Sequence, residues 1–485
     1  MTIPASETAL DFLHERATTI FTGALEASNI ESAFDRRIRI ESSTLRRLLP
    51  DGSGPETINL NHYKRIFVIS LGKAAGPMLE VLLERMDRRK GLRGICCTKY
   101  LPRKRNWRFR YFEGGHPLPN EESFAAARAA LALLKKAKKD TLVFFLISGG
   151  GSAMFDLPID PHISLEDTIA FHETLVGSGA PINEINTLRK HFSAVKGGRL
   201  AIAAPEALKV SFLLPDVPLR SLDALSSGPT SPDHSTVDEV HEIMERYDLG
   251  RKFPAPVRAF FDRKDLPESP GNKKWLPPFF PRFQRNEAPQ TRRVTSAENL
   301  TDEDQAFRES IFELLLSSHD LVESARTLAQ AAGYYVAVDN SCDDWDYADA
   351  AHYLLRRFHE LRALHPRLCL ISGGEVTVTL DRNPGAGGRN QQFALVCALD
   401  LARYPGEMLT VLSAGSDGID GNTQSAGAIA DPTTVARAVA FGFDPEQSMR
   451  TFNACPLFTA LGDAIVTGPT GHNLRDLRLL ISDRS

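Results

Sequence analysis

Cysteine, long apolar runs and an excess of one charge are what this 485-residue chain has little of. Six cysteines are too few for a disulfide scaffold. Cys96 and Cys97 are adjacent and poorly placed to bridge each other. No C-x-x-C pair occurs, which excludes the usual Cys-rich zinc site. His14-Glu15 and His172-Glu173 are followed by the wrong residues for an H-E-x-x-H zinc helix. The longest apolar stretches, such as Leu142 to Ile147, are far too short to cross a bilayer. The opening residues carry acids and lack the basic-then-apolar order of a signal peptide. With 57 basic and 61 acidic residues the net charge is −4, against the basic balance of a nucleic-acid-binding domain. An anionic ligand must therefore be gripped by local chemistry rather than by the global field. The expectation is a reduced, cytoplasmic, soluble protein with neither nucleic acid nor membrane as partner.

What is present is an alternation of strand-like and helix-like segments. Apolar residues at helical spacing run from Leu10 to Leu25. Compact apolar runs at 65–70, 94–98, 109–112, 141–147 and 210–214 read as buried strands, with helix-like segments at 74–89 and 123–138 between them. Asn120 is in place to cap the second of these helices. The alternation predicts an α/β fold with a largely parallel sheet. Eight prolines mark 252–295 as a linker or irregular excursion. Beyond it, 305–331 is helical by period, and 368–372 and 410–413 read as further strands. The expected domains are residues 1–250, a Pro-rich connection 251–300, and residues 301–485.

Four times an apolar strand ends in Ser and Gly, or in Ser, one residue and Gly: at Ser70-Leu71-Gly72, Ser148-Gly149, Ser372-Gly373 and Ser413-Ala414-Gly415. In open α/β sheets ligands bind beyond the carboxyl ends of strands. Ser148-Gly149-Gly150-Gly151-Ser152 can form a concavity of N–H donors for an anion. It is not a Walker A loop, and Met154 stands where the third glycine of a dinucleotide fingerprint would be. Lys73, at a strand end among small neighbours, can neutralise a transferring phosphoryl group. In the helix-like stretch 186–200, Arg189, Ser193 and Lys196 fall on one helical face that could hold a carboxylate or phosphates, or could simply be a solvated basic face. Arg389 opens an apolar helical run after Gly387-Gly388, a place suited to phosphate oxygens. Asp417 and Asp420, in a Gly-rich loop, suit Mg²⁺, and Asp216 and Glu375 are further acids at strand ends.

Together these motifs resemble the class II glycerate kinases, the group with a C-terminal MOFRL domain. The resemblance runs from about residue 7 to 485. It rests on Gly72-Lys73-Ala74, Gly114-Gly115-His116-Pro117, 146–153, 186–200, 226–230, Gly373-Gly374-Glu375, 387–392, 415–421, 426–428 and 468–471. It implies a Rossmann-like N-terminal lobe, a smaller α/β C-terminal lobe and an active site in the interdomain cleft. It also implies transfer of the ATP γ-phosphate to D-glycerate, giving 2-phosphoglycerate, with a divalent metal such as Mg²⁺. By the same resemblance, Lys73 and Arg389 are functional residues. ATP is expected on residues Ser148, Gly149, Gly150, Gly151 and Ser152 with Glu375, glycerate on Arg189 and Lys196, and the metal on Asp417 or Asp420. The chain departs from the pattern at Leu219-Arg220, where relatives carry Gly-Asp, so Asp223 is expected to supply the displaced acid as base or metal-facing group. The alternatives are a kinase for another small hydroxy acid, a hydroxypyruvate reductase, and a non-catalytic sensor of a phosphorylated ligand. A monomer or homodimer is expected.

Overall fold

The computed structural model describes residues 5–41, 43–48, 55–86, 91–271, 302–380 and 384–483. Two units emerge, Phe34–Leu315 and Met1–Ala33 with Leu316–Ser485.

In the first unit, β1 (Ile38–Glu41), β2 (Thr44–Leu48) and β3 (Pro55–Asn59) form a small antiparallel sheet. Then come β4 (Arg65–Leu71), β5 (Leu92–Thr98), β6 (Phe109–Glu113), β7 (Thr141–Ser148), β8 (Leu208–Leu214) and β9 (Ser310–Leu314). These six pair in parallel in the order β6-β5-β4-β7-β8-β9. Counted from β4 this is the doubly wound order 3-2-1-4-5-6, so the expected α/β fold is present. The order reverses between β4 and β7, and the crevice beyond their carboxyl ends is where such sheets take ligands. All eight residues of β7 are buried, which is why its sequence is a continuous apolar run rather than an alternating one. The alanine-rich helix Glu121–Leu134 starts at a capping box between Asn120 and Ser123.

Three expectations are corrected. The stretch 305–331 is not one helix: a helix Asp302–Arg308 ends, β9 pairs with β8, and a new helix spans Ser318–Ala331. Short apolar runs fit both periods, and here the open edge of β8 decided for strand. The stretch 186–200 is broken too. The helix Ile182–Phe192 stops at Ser193, which is extended, and Gly197 and Gly198 both take positive φ. The chain there hydrogen-bonds sideways, with Ala194 N donating to Leu157 O and Gly198 N to Gly228 O. The segment expected as a linker is folded as far as it is described. Phe253, Val257, Phe260, Phe261 and Leu266 pack with Phe171 and Phe192 in a buried cluster, and a helix spans Ala255–Phe261. Residues 272–300 lie outside the described part.

The second unit contains β10 (Tyr335–Val338), β11 (Leu368–Gly373), β12 (Leu409–Gly415), β13 (Gly427–Ala430), β14 (Ala464–Ile465) and β15 (Asp476–Ser482), ordered β10-β11-β15-β12-β13-β14. Only β10 and β11 are parallel neighbours; β15 runs antiparallel between β11 and β12. The ends of β11 and β12 and the start of β15 therefore meet, with Gly373 opposite Leu477 and Gly415 opposite Asp476. The division is not sequential. The N-terminal helix Ala5–Ala27 belongs here, its Leu13, Ala17, Ile20, Phe21 and Ala24 buried. Gly23 lets it approach Leu328 of the helix Ser318–Ala331, and His14 Nε2 lies 2.9 Å from Asp431 Oδ2. Among the described residues no helix is long and apolar enough to cross a membrane.

Candidate functional site

At the switch point of the parallel sheet, two turns are bonded into one body. Lys73 N donates to Gly149 O at 2.9 Å, and Ala74 N donates to Ser148 Oγ at 3.0 Å. Gly72 has φ +107°, and a Cβ there would overlap the Ser148 carbonyl oxygen. Only glycine allows the ends of β4 and β7 to come this close. The three following glycines each face a different group. A Cβ on Gly149 would fall on the Asp216 carboxylate, and one on Gly151 on Ser226 Oγ. At Gly150, with φ +82°, it would sit 2.6 Å from Met154 Cε, 3.1 Å from Lys73 Cγ and 3.2 Å from His116 Cδ2. Thus the exposed Lys73 and the half-buried His116 lie over the middle of the glycine run. Burial, then Lys73 and Lys99, push the His116 imidazole down to about 4, so it is neutral at pH 7.

A hydroxyl chain borders the same turn. Ser226 Oγ donates to Ser148 O at 2.7 Å; Ser152 Oγ lies 2.9 Å from Ser227 Oγ, which donates to Asn186 Oδ1 at 3.1 Å. Of the residues expected here, Lys73 and Ser148 to Ser152 are brought together. His116, Asn186, Ser226 and Ser227 were not singled out, although all four stand in motifs that carry the resemblance.

The basic residues of 186–200 turn inward. Lys196 is 1% exposed and ion-paired with Asp156, itself 0% exposed. Asp156 also lies 2.8 Å from His172 Nε2 and accepts from Ser193 Oγ at 2.6 Å. Burial would raise this carboxyl, but Lys196 and His172 hold it well below the usual range. Burial drives Lys196 down to about 8 against the pull of Asp156. Arg189, in the last turn of its helix, is lowered by burial and pulled back up by Asp156. Lys196 is thus beneath the site rather than open to a ligand, while Arg189 is only half-buried. Asp223 lies in the 3-10 segment Leu219–Ser227, half exposed, 3.4 Å from Lys190 Nζ, which also reaches Asp233 at 3.0 Å. The side chain of Arg220 lies outside the described residues.

In the second unit, the loops at the ends of β11 and β12 and the start of β15 assemble a charged cluster. Arg389 is the first residue of the helix Arg389–Leu401. Its Nε and Nη2 donate to the two oxygens of Asp476 at 2.6 and 2.9 Å, and Nη2 lies 2.8 Å from Glu375 Oε1. Burial would lower this guanidinium, but Asp476 and Glu375 more than compensate and raise it. Asp420 caps the same helix: its oxygens accept from Asn390 N at 3.0 Å and Gln391 N at 2.9 Å. Burial nevertheless raises it to about 7. Asp417 Oδ1 accepts from Ile419 N at 3.1 Å. Among the described residues no three His, Cys, Asp or Glu side chains group as metal ligands. Mg²⁺ needs only one or two carboxylates beside phosphate and water. Both oxygens of Asp420 are committed to the helix start. Asp476 escaped the sequence reading; its one signal is an acid opening a strand that is apolar apart from Arg478 and Ser482.

Comparison with known proteins bears on both units. Residues 16–262 match the family model described as a domain of unknown function, DUF4147, and residues 368–476 match the MOFRL family. The glycerate 2-kinase of Pyrococcus horikoshii is 33% identical, covering 86% of this chain and 87% of its own. A relative from Agrobacterium vitis, 32% identical over 86% and 87% of the two chains, bears the provisional name hydroxypyruvate reductase. The crystal structure of a glycerate kinase from Thermotoga maritima superposes with a TM-score of 0.77 at 29% identity, covering 98% of this chain and 100% of that one. With both halves matched and a glycerate 2-kinase aligned over most of its length, the chain belongs to the class II glycerate kinase family, the group that carries a MOFRL domain.

Proposed function

We infer that the protein is a glycerate 2-kinase: it transfers the γ-phosphoryl group of ATP to the 2-hydroxyl of D-glycerate. The observation that carries this reading is the Gly72-Lys73 turn bonded to the Ser148–Gly150 turn at the switch point of a parallel sheet, in a chain whose relatives bear that name. The hydroxyl oxygen forms a bond to the γ-phosphorus, the bond to the ADP oxygen breaks, and the hydroxyl proton leaves to a base, a role we give to Asp223. There is little covalent work for the protein in such a transfer; positioning and charge stabilisation dominate. The glycine turn offers backbone N–H groups and the Ser152 hydroxyl to phosphate oxygens. Lys73, whose Cγ lies near Gly150, is assigned to supply the cation, and neutral His116 beside it adds no competing charge. Arg389, with Glu375 beside it, is assigned to the same reaction, and Arg189 to the glycerate carboxylate. Mg²⁺, held by Asp417, would draw charge from the phosphate oxygens when bound. The six free cysteines, five of them buried, suit a reducing cytoplasm.

The test is a phosphorus NMR spectrum after incubation with Mg-ATP and D-glycerate, which reports turnover and the phosphorylated carbon together. Lys73→Ala should remain folded and lose about 10²–10³ in kcat, the value of one electrostatic donor of roughly 3–4 kcal/mol. Near-normal turnover in that variant would remove Lys73 from the assignment. The reductase name of one relative is tested by NADH absorbance with hydroxypyruvate. No change is expected, because Met154 occupies the place of the fingerprint's third glycine.

A further inference from the structure

We propose that Asp476 is a positioning residue for phosphoryl transfer: its carboxylate grips one edge of the Arg389 guanidinium and so aims the opposite edge at the anion. The inference rests on the kinase reading above and deepens it.

The geometry is a fork on a fork. Arg389 Nε and Nη2 meet the two Asp476 oxygens in parallel, and the second Nη2 hydrogen is directed to Glu375. Nη1 makes no hydrogen bond among the described residues, and the arginine side chain keeps 34% of its exposure. An anion therefore meets a guanidinium whose rotation is already fixed.

Asp476 in turn has little freedom. It is 0% exposed and held in the sheet by pairing with Gly415. The fully buried Arg478 stands behind it, with Nη2 3.5 Å from Asp476 Oδ2. Arg478 is itself fixed, donating from Nη1 to Gly374 O at 3.2 Å and lying over the Phe393 ring at 5.2 Å. Stability alone is a poor reason for such an arrangement, since well-packed apolar residues often replace buried ion pairs without loss. A rigid guanidinium is a better reason, because misplacing a catalytic group by about 1 Å can cost about 10²-fold in rate.

The experiment compares glycerate kinase kinetics of the full chain with those of Asp476→Asn and Arg389→Ala. Asp476→Asn should lower kcat about 30- to 100-fold while KM for ATP stays within about threefold. A folded Asp476→Asn variant with kcat within threefold of the parent overturns the proposal. Because removing a buried acid can prevent folding, Arg389→Ala gives a second test that leaves Asp476 intact. Guanidinium added to that variant should restore turnover at least tenfold better than methylammonium, because only guanidinium presents two parallel N–H groups to the carboxylate. Equal restoration by both cations, or by neither, overturns it. Absence of glycerate phosphorylation by the parent protein would remove the kinase reading and this inference together, whereas an active parent with an indifferent Asp476→Asn removes this inference alone.

Discussion

Replacing Asp156 by Asn tests the buried support of the candidate site. Asp156 and Lys196 are 0% and 1% exposed, and His172 and Ser193 take the remaining capacity of the carboxylate. Asn keeps the volume and removes the charge, leaving the Lys196 ammonium buried without its counter-ion. Breaking one side of such a pair costs about 3–5 kcal/mol. At roughly 2 °C per kcal/mol for a unit of this size, the melting transition of Phe34–Leu315 should fall by about 6–10 °C. Calorimetry gives the shift, and hydrogen exchange of peptides from 141–214 places it in this unit.

The pH dependence supplies the stricter check. Lys196 stands at about 8 even with Asp156 present, and losing the acid lowers it further. A base depressed in the folded state binds fewer protons there than when unfolded. Between the depressed folded value and the unfolded lysine value the unfolded state holds a proton that the folded state has lost, so stability rises with pH across that window. The deficit of Asp156→Asn should shrink as pH rises toward about 8 and level off above it, where Lys196 of the parent has also lost its proton. Adding Lys196→Met to Asp156→Asn should recover most of the loss at pH 7, since both charges are then gone. A deficit that is independent of pH and unchanged in the double variant would refute the ion-pair account.

Gly72→Ala should destabilise the protein by about 2 kcal/mol or more, because a side chain at positive φ and a clash with the Ser148 carbonyl both force β4 and β7 apart; melting and turnover should fall together. His14→Ala removes a partner of Asp431, which burial would raise but which His14, Thr433 and Arg437 hold at about 2. An acid depressed in the folded state contributes stability above about pH 4 that is lost as pH falls through 2, so the difference between parent and variant, about 1.5–3 kcal/mol, should be full at pH 5 and close on acidification. Five of the six cysteines are buried, and Cys96 is pushed up to about 12 by burial. A thiol reagent should therefore titrate about one group, Cys455, in the native protein and six after unfolding.

The strands of the parallel sheet were legible because they are buried on both faces, so each is a compact apolar run that local composition reveals. The glycine turns at 72 and 149–151 were legible for a related reason: no other residue tolerates the contacts those backbones make. Less legible were segments whose state is set by distant neighbours. Ser310–Leu314 is a strand because β8 offers an open edge, and Phe253–Leu266 is core because Phe171 and Phe192 wait for it. The N-terminal helix showed its period, yet nothing in its sequence says that its apolar face belongs with residues beyond 316.

The candidate site divides along the same line. Lys73, Arg389, Asp417 and the glycine run were singled out from residue type and local spacing, which fix where a backbone turns and where a charge can stand. Which charges face a ligand and which face each other is a matter of partners far apart in the chain: Asp156 with Lys196, Asp476 with Arg389, Asp420 with the helix start at Asn390. Pairing energy depends on separation in space and on burial. The sequence by itself therefore determined the α/β class and the chemical inventory, while the tertiary structure alone decided that Lys196 is buried against Asp156 and that Arg389 is held by Asp476.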